Sequence, residues 1–294
     1  MKVGITCGDP AGIGPEVVRG ALASDGLPRD IECVVIGVTN SFSPGEPTLA
    51  SARHAIHALE EAVAMAKSGE VQAVVTGPVS KKILHNAGFV FPGQTEFFAQ
   101  RCGVSDFAMC LTGGRITVAL VTAHVPLADV AGLLKPSEIV RVGRLLCSFL
   151  IARGKLSPRI AVAGLNPHAG ENGDLGREEI EIIAPAVHSL ALSLAGVATV
   201  SGPHPPDTLF HRVIEGDFDA VLCMYHDQGL IPLKLLAFHE GVNVTLGLPF
   251  PRTSPDHGTA FNIAGKGLAS SASMLAAIRL ARELAARKNS EPEG

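Results

Sequence analysis

The chain has 294 residues, a formal net charge of −4, 47% apolar residues and only 4% aromatics, with no Trp and one Tyr. That length suggests two domains or one large α/β unit with a sizeable core. The acidic balance argues against a nucleic-acid footprint. The most apolar stretch, 189–200, is too short to span a bilayer.

Apolar runs 2–7, 32–37, 72–77, 107–112, 116–122, 159–164, 197–202, 220–225 and 242–247 read as strands. Helical patterns fall near 51–68, 79–87, 94–103, 136–153, 175–195, 206–215, 227–237 and 270–288. The alternation predicts a largely parallel sheet with helices on both faces. Pro185 should break or kink the 175–195 helix. Residues 39–48 read as a surface loop and the tail from 286 as disordered. The N-terminus shows no leader pattern, and the six cysteines have no regular spacing. They read as reduced and mostly buried in a cytoplasmic protein.

Most strands run into a polar loop, the place where open α/β sheets bind ligands. His124, His168 and His226 each follow an apolar strand. Three such imidazoles converging on one cation would suit zinc, cobalt or manganese, and each alone could merely satisfy loop backbone. His54 and His57 read as solvent face. "GDPAGIGPE", 8–16, is either a phosphate cradle or a tight strand–helix turn. Residues 256–275 are either two helices around a glycine cap or a nucleotide pocket built from a loop. Lys234, Asn243 and Arg252 could grip a phosphate or be ordinary surface polarity, and the same alternatives apply to Lys81 and Lys82.

The ordered blocks "GDPAGIGPE", "VVTGPVSK", "FPGQTEFFA", "TAHVPL", "LNPHAGENGDLGREE", "DTLF", "MYHDQGLIPLK", "GVNVTLGLPFPRTSPDHGTA" and "AGKG" resemble the 4-hydroxythreonine-4-phosphate dehydrogenase family of pyridoxal phosphate biosynthesis. The resemblance implies an isocitrate/isopropylmalate dehydrogenase-like fold of two α/β/α lobes with a cleft between them. The nucleotide lobe would take 1–90 plus 240–294, and the metal, substrate and dimerisation lobe 91–239. It implies a homodimer with shared active sites, NAD or NADP, and a divalent cation (Zn, Co, Mg or Mn) on His124, His168 and His226, one of them from the partner chain. Substrate contacts fall on Gln94, Thr95, Lys234, Asn243 and Arg252, with Lys234 and Asp207 as catalytic candidates and Lys234 open to proton transfer or phosphate contact. His257, Gly258, Thr259, Ala260 and Gly265 would hold the cofactor. Neither nucleic acid nor membrane is expected as a partner.

Two departures accompany the resemblance. The family's Gly-His-Thr-Glu reads Gly93-Gln94-Thr95-Glu96 here, and the segment before the helix at 51 is short. Both leave room for a related phosphorylated hydroxy acid such as 4-phosphoerythronate. A phosphate acyltransferase of similar fold and a non-catalytic phosphometabolite binder are the rival readings.

Overall fold

The computed structural model describes residues 1–37 and 41–288. Residues 39 and 40 of the expected loop, and 289–294 of the expected tail, lie outside them. In chain order the first segment holds β1 (Lys2–Thr6), α1 (Gly14–Leu22), β2 (Glu32–Ile36), α2 (Leu49–Lys67), β3 (Ala73–Thr76), α3 (Lys81–Asn86) and α4 (Gln94–Cys102). Then come β4 (Ala108–Gly113), β5 (Ile116–Leu120), α5 (Val130–Leu133), α6 (Pro136–Ala152), β6 (Arg159–Ala163), α7 (Ala184–Ser193), β7 (Thr199–His204), α8 (Pro206–Ile214), β8 (Ala220–Cys223) and α9 (His226–Ala237). The chain closes with β9 (Val242–Leu246), β10 (Arg252–Pro255) and α10 (Ala272–Lys288).

Two compact units result. The first takes the described residues of Met1–Ser105 and His239–Gly294, and the second is Asp106–Phe238. Helix α4 thus belongs to the first unit, because Phe97 and Phe98 are fully buried in its core with Leu59, Leu84, Phe89 and Phe250. In a chain so poor in aromatics, this cluster is the main ring packing. Phe97 meets Phe98, Phe91 and Phe89 at centroid separations of 5.4–5.5 Å.

The first unit's strand order is β2-β1-β3-β10-β9, parallel except for the last pair. Strand β10 was not expected from sequence. It is four residues of "RTSP", every one buried. Helix α2 opens on a capping box between Thr48 and Ser51. Its buried stripe of Ala52, Ala55, Ala58 and Ala62 keeps it close to the sheet. The second unit's order is β4-β5-β8-β6-β7. Only β4/β5 is antiparallel, because a tight turn at Gly114-Arg115 joins them.

Three further differences have local causes. The helix expected from 175 begins as a π-helical turn at Glu179–Ile183, and α7 follows with Pro185 in its first turn, where a proline's missing N–H costs nothing. Helix α10 ends at Lys288, as the helical pattern over 270–288 predicts, so residues 286–288 belong to the helix and not to the tail. His54 is half-buried and its Nε2 contacts the Gly37 carbonyl at 3.1 Å, so it is not on the solvent face. All six cysteines are free, four of them buried. Burial pushes the Cys110 thiol up to about 12 despite Arg153 nearby.

Candidate functional site

In the second unit, strands β5, β8 and β6 are parallel neighbours, and their carboxyl ends are stapled together. Beyond β5, the Val121 amide donates to Cys223 O (2.9 Å), and the Thr122 amide and hydroxyl both donate to Met224 O (3.1 and 2.8 Å). Gln228, buried on α9, accepts from the Met224 amide (2.7 Å) and donates to Gly164 O after β6 (2.6 Å). These bonds fix the loops that carry the histidines.

His124 follows β5, and His226 opens α9. Their ring centroids lie 5.7 Å apart. His226 Nδ1 meets Asp227 Oδ1 at 2.7 Å, and His168 Nδ1 meets Glu171 Oε2 at 2.8 Å. A carboxylate on Nδ1 selects the tautomer whose Nε2 lone pair faces outward, the arrangement that orients an imidazole for a cation. The donor set therefore fits a borderline divalent metal. Within one chain, however, no three His, Cys, Asp or Glu side chains converge on a cation position among the described residues. The structure pairs His124 with His226 and leaves His168 out of the pair.

His168 sits on backbone of unusual hand. His168, Ala169, Gly170, Glu171 and Asn172 all have positive φ, between 44° and 82°. Four of these residues carry a Cβ, so the turn is strained. Glu179, only 3% exposed, holds it. Its Oε1 accepts from the Leu165 and Asn166 amides, both at 2.7 Å, and its Oε2 from Asn166 Nδ2 at 3.0 Å. Sequence reasoning missed Glu179. The one available signal was an acidic residue at a core-facing helical position.

Lys234 lies half-buried on α9 with its ammonium 5.9 Å from the Phe238 ring. Asp207 is exposed in the first turn of α8.

In the first unit, Arg252 opens β10 and is 2% exposed. Its Nη1 donates to Thr245 Oγ1 (3.2 Å), and its Nη2 to Thr76 Oγ1 and Gln94 Oε1 (3.1 Å). The Phe98 ring covers it at 5.5 Å. Burial pushes its pKa down to about 10, against the pull of Glu96. Gln94 is also bonded at its other end, donating from Nε2 to Gly77 O (3.2 Å). Thr95 Oγ1 lies 3.4 Å from Thr245 Oγ1. The buried atoms Arg252 Nε, Asn243 Oδ1 and Glu96 Oε2 have no partner among the described residues. Buried polar atoms are seldom left so, which makes these three candidates for contact with a polar ligand.

The glycine-rich turn at 8–16 proves to be scaffold. The Asp9 amide donates to Pro78 O, the Gly12 amide to Asp9 O and the Ile13 amide to Thr259 O, at 2.9–3.0 Å. The Ala11 amide donates to Asp9 Oδ1 (3.0 Å). A Cβ on Gly14 would fall on the Cys7 carbonyl oxygen. These amides are spent on the fold, so the tight-turn reading holds there and the phosphate-cradle reading does not.

The segment 256–271 forms loop and turns instead of a helix. Glu16 accepts from the Gly265 amide (2.8 Å) and the Ala269 amide (3.2 Å), which ties this loop to α1. Ala260 has φ 40° and Gly265 φ 75°. His257 Nδ1 lies 3.1 Å from Gly258 O, and its buried Nε2 is unpartnered among the described residues. His257, Gly258, Thr259, Ala260 and Gly265 therefore share one irregular, glycine-bearing loop.

The strand-end histidines of the second unit, and the buried arginine and irregular loop of the first, are each features of the kind that α/β enzymes use to bind ligands. Residues 17–281 match the family model described as pyridoxal phosphate biosynthetic protein PdxA. A curated relative from Erythrobacter litoralis, named 4-hydroxythreonine-4-phosphate dehydrogenase, is 43% identical over 97% of this chain and 96% of its own. A crystal structure of 4-hydroxythreonine-4-phosphate dehydrogenase from Klebsiella pneumoniae is 39% identical, covers 97% of this chain and 99% of that one, and has a TM-score of 0.82. A terephthalate 1,2-cis-dihydrodiol dehydrogenase structure from Burkholderia xenovorans is 30% identical over 96% and 98%, with a TM-score of 0.68. The chain belongs to the PdxA family. A β-decarboxylating dehydrogenase from Thermococcus kodakarensis, 18% identical with a TM-score of 0.56 over 98% and 83%, shares the fold. No helix among the described residues is long and apolar enough to cross a membrane.

Proposed function

We propose that this chain is a cytoplasmic, cation-dependent, NAD- or NADP-linked dehydrogenase of 4-phosphohydroxythreonine. It would form 2-amino-3-oxo-4-phosphobutanoate, which loses CO₂ to give 3-amino-2-oxopropyl phosphate. The observation that carries this reading is likeness over nearly the whole chain to proteins named for that activity. The buried Arg252 with its unpartnered Nε supports a phosphate contact, joined by Asn243 and Thr95. Gln94 would act chiefly by aiming Arg252, since both ends of its amide are bonded within the protein.

His124 and His226 would hold the cation with His168 of a second copy, each oriented histidine offering Nε2. A cation held there would supply Lewis acidity to the substrate hydroxyl, and a nicotinamide held by the 257–265 loop would supply the hydride acceptor. The chain's own task is placement and charge. The loop at 257–265 would hold the cofactor, and Lys234 and Asp207 would move or hold protons near the reacting carbon. A homodimer with shared sites is supported by an uncovered apolar face on α9 and its end, where Leu235 is 83% exposed and Ile231 and Phe238 are each 67% exposed.

An absorbance assay at 340 nm tests the reading. Reduction of the nicotinamide with 4-phosphohydroxythreonine, abolished by chelation and restored by a divalent cation, is expected. Turnover confined to 4-phosphoerythronate would shift the substrate. Transfer of an acyl group from acyl phosphate to a thiol, without nicotinamide reduction, would replace the reading.

A further inference from the structure

Strands β5, β6 and β8 carry chemistry at both ends. Their carboxyl ends lead to the histidines, and their amino ends open on a cavity of about 410 Å³ within the second unit. Four cations line it: Arg115 just before β5, Arg153 after α6, Lys155, and Arg159 at the start of β6. Only Glu215 and Asp219 oppose them, so the cavity carries an excess of two positive charges. Strand β6 has five residues, so the two ends stand roughly 16 Å apart. This cavity is not the site described above.

The cations are ordered by the fold. Asp219, with its side chain 6% exposed, meets Lys155 Nζ at 2.9 Å and Arg159 Nη2 at 3.3 Å, and accepts from the Arg159 amide at 2.8 Å. Arg153 donates to Thr112 Oγ1 at 3.0 Å and rests against Phe149. Arg115 is exposed in the β4–β5 turn and has no ion-pair partner among the described residues. Leu150, Val213 and Phe218 give the cavity an apolar share of its lining. Guanidinium groups and hydrocarbon in one cavity suit a dianion with a small organic body.

We propose that this cavity binds a small phosphomonoester dianion, whose phosphate Arg115 and Arg153 grip while its carbon body lies on Leu150 and Phe218. The reading is independent of the proposed activity, since no residue involved belongs to that site.

Crystals soaked in tungstate, a tetrahedral dianion visible by anomalous scattering, should show a peak among Arg115, Arg153 and Lys155. Calorimetry should show saturable binding of glycerol 3-phosphate, tighter than inorganic phosphate at matched ionic strength. Arg115→Glu should remove the peak and weaken that binding class by at least about tenfold. Tungstate at Arg252 is scored separately by its position. If Arg115→Glu melts early, Arg115→Gln carries the comparison. A peak only at Arg252, a peak that survives either substitution, or a peak without saturable binding in solution overturns the proposal. Equal affinity for phosphate and the ester overturns the assignment of an organic body.

Discussion

Replacing Glu179 by Gln changes one atom in a buried clamp. Four Cβ-bearing residues from His168 to Asn172 sit in left-handed backbone, at about 1 kcal/mol or more apiece. The clamp must offset that cost. Gln keeps an acceptor for the Leu165 and Asn166 amides but removes its charge, a loss of about 1 kcal/mol per bond. Its amide group then faces Asn166 Nδ2, which retains Glu178 Oε2 at 2.7 Å and so costs little more. The total is about 2–3 kcal/mol, or a melting point lower by roughly 4–9 °C. Glu179→Ala strands two amides and should cost about 3–6 kcal/mol. Because the released loop carries His168, divalent-cation affinity should fall in both variants, measured by competition with a chromogenic chelator on the purified protein. Melting within a degree of wild type, or a lowered melting point with unchanged cation affinity, would refute the argument that Glu179 holds His168 in place.

Other outcomes follow from the same geometry. Arg252→Lys removes the fork that reaches Thr76, Gln94 and Thr245 at once, so KM for the phosphorylated substrate should rise at least about tenfold with a smaller change in kcat; an unchanged KM would place the phosphate elsewhere. Because His124 and His226 are neighbours in one chain, His168→Ala chains mixed with His226→Ala chains should regain about a quarter of wild-type activity once subunits exchange, one intact site arising in each mixed dimer. No recovery after confirmed exchange would count against a shared site. Gln94→His, read as kcat/KM against pH, should lose most below about pH 6.5, where an unperturbed imidazole becomes charged, can no longer accept from Arg252 and repels its guanidinium; superimposable profiles would show that residue 94 does not aim Arg252. Asp219 is penalised by burial, but bonds from Arg159 and Lys155 outweigh this and hold its carboxyl below the ordinary range. A depressed carboxylate stabilises the fold above the unfolded pKa and loses that contribution as pH falls through the folded one. Asp219→Asn should therefore melt lower at neutral pH and show a shallower acid decline than wild type, and parallel acid limbs would contradict this.

The strands and most helices were legible because apolar runs and their punctuation are local signals. β10 was not: "RTSP" carries one β-branched residue and ends in proline, and only tertiary burial makes it a strand. The two antiparallel pairings join strands adjacent in sequence, β4 to β5 across Gly114-Arg115 and β9 to β10 across residues 247–251, and the strand–helix alternation of the rest of the chain masked them. Arg252, Gln94, Thr95 and Asn243 could be named from family motifs, but not that Gln94 bonds Arg252, or that the arginine is buried. Glu16 and Glu179 escaped notice because an isolated acid in a helix usually faces water. Here each accepts from two backbone amides contributed by another segment. The turn at 8–16 was ambiguous because a cradle and a tight turn demand the same glycines, and only the partners of its amides decide between them.

The insertion of β10 between β3 and β9 has a consequence for how the chain emerges from the ribosome. Asp106–Phe238 is continuous and holds all its own strands, so it can fold as soon as it clears the exit tunnel. The first unit cannot. Its strand β3 is buried along its whole length in the finished protein, and the neighbour that covers one edge, β10, is synthesised only after the whole of the second unit. At ordinary translation speed that edge stays open for on the order of ten seconds, a bare template of "AVVT" awaiting its partner. The unit begun before its neighbour is closed only after it, with that strand edge unpaired meanwhile.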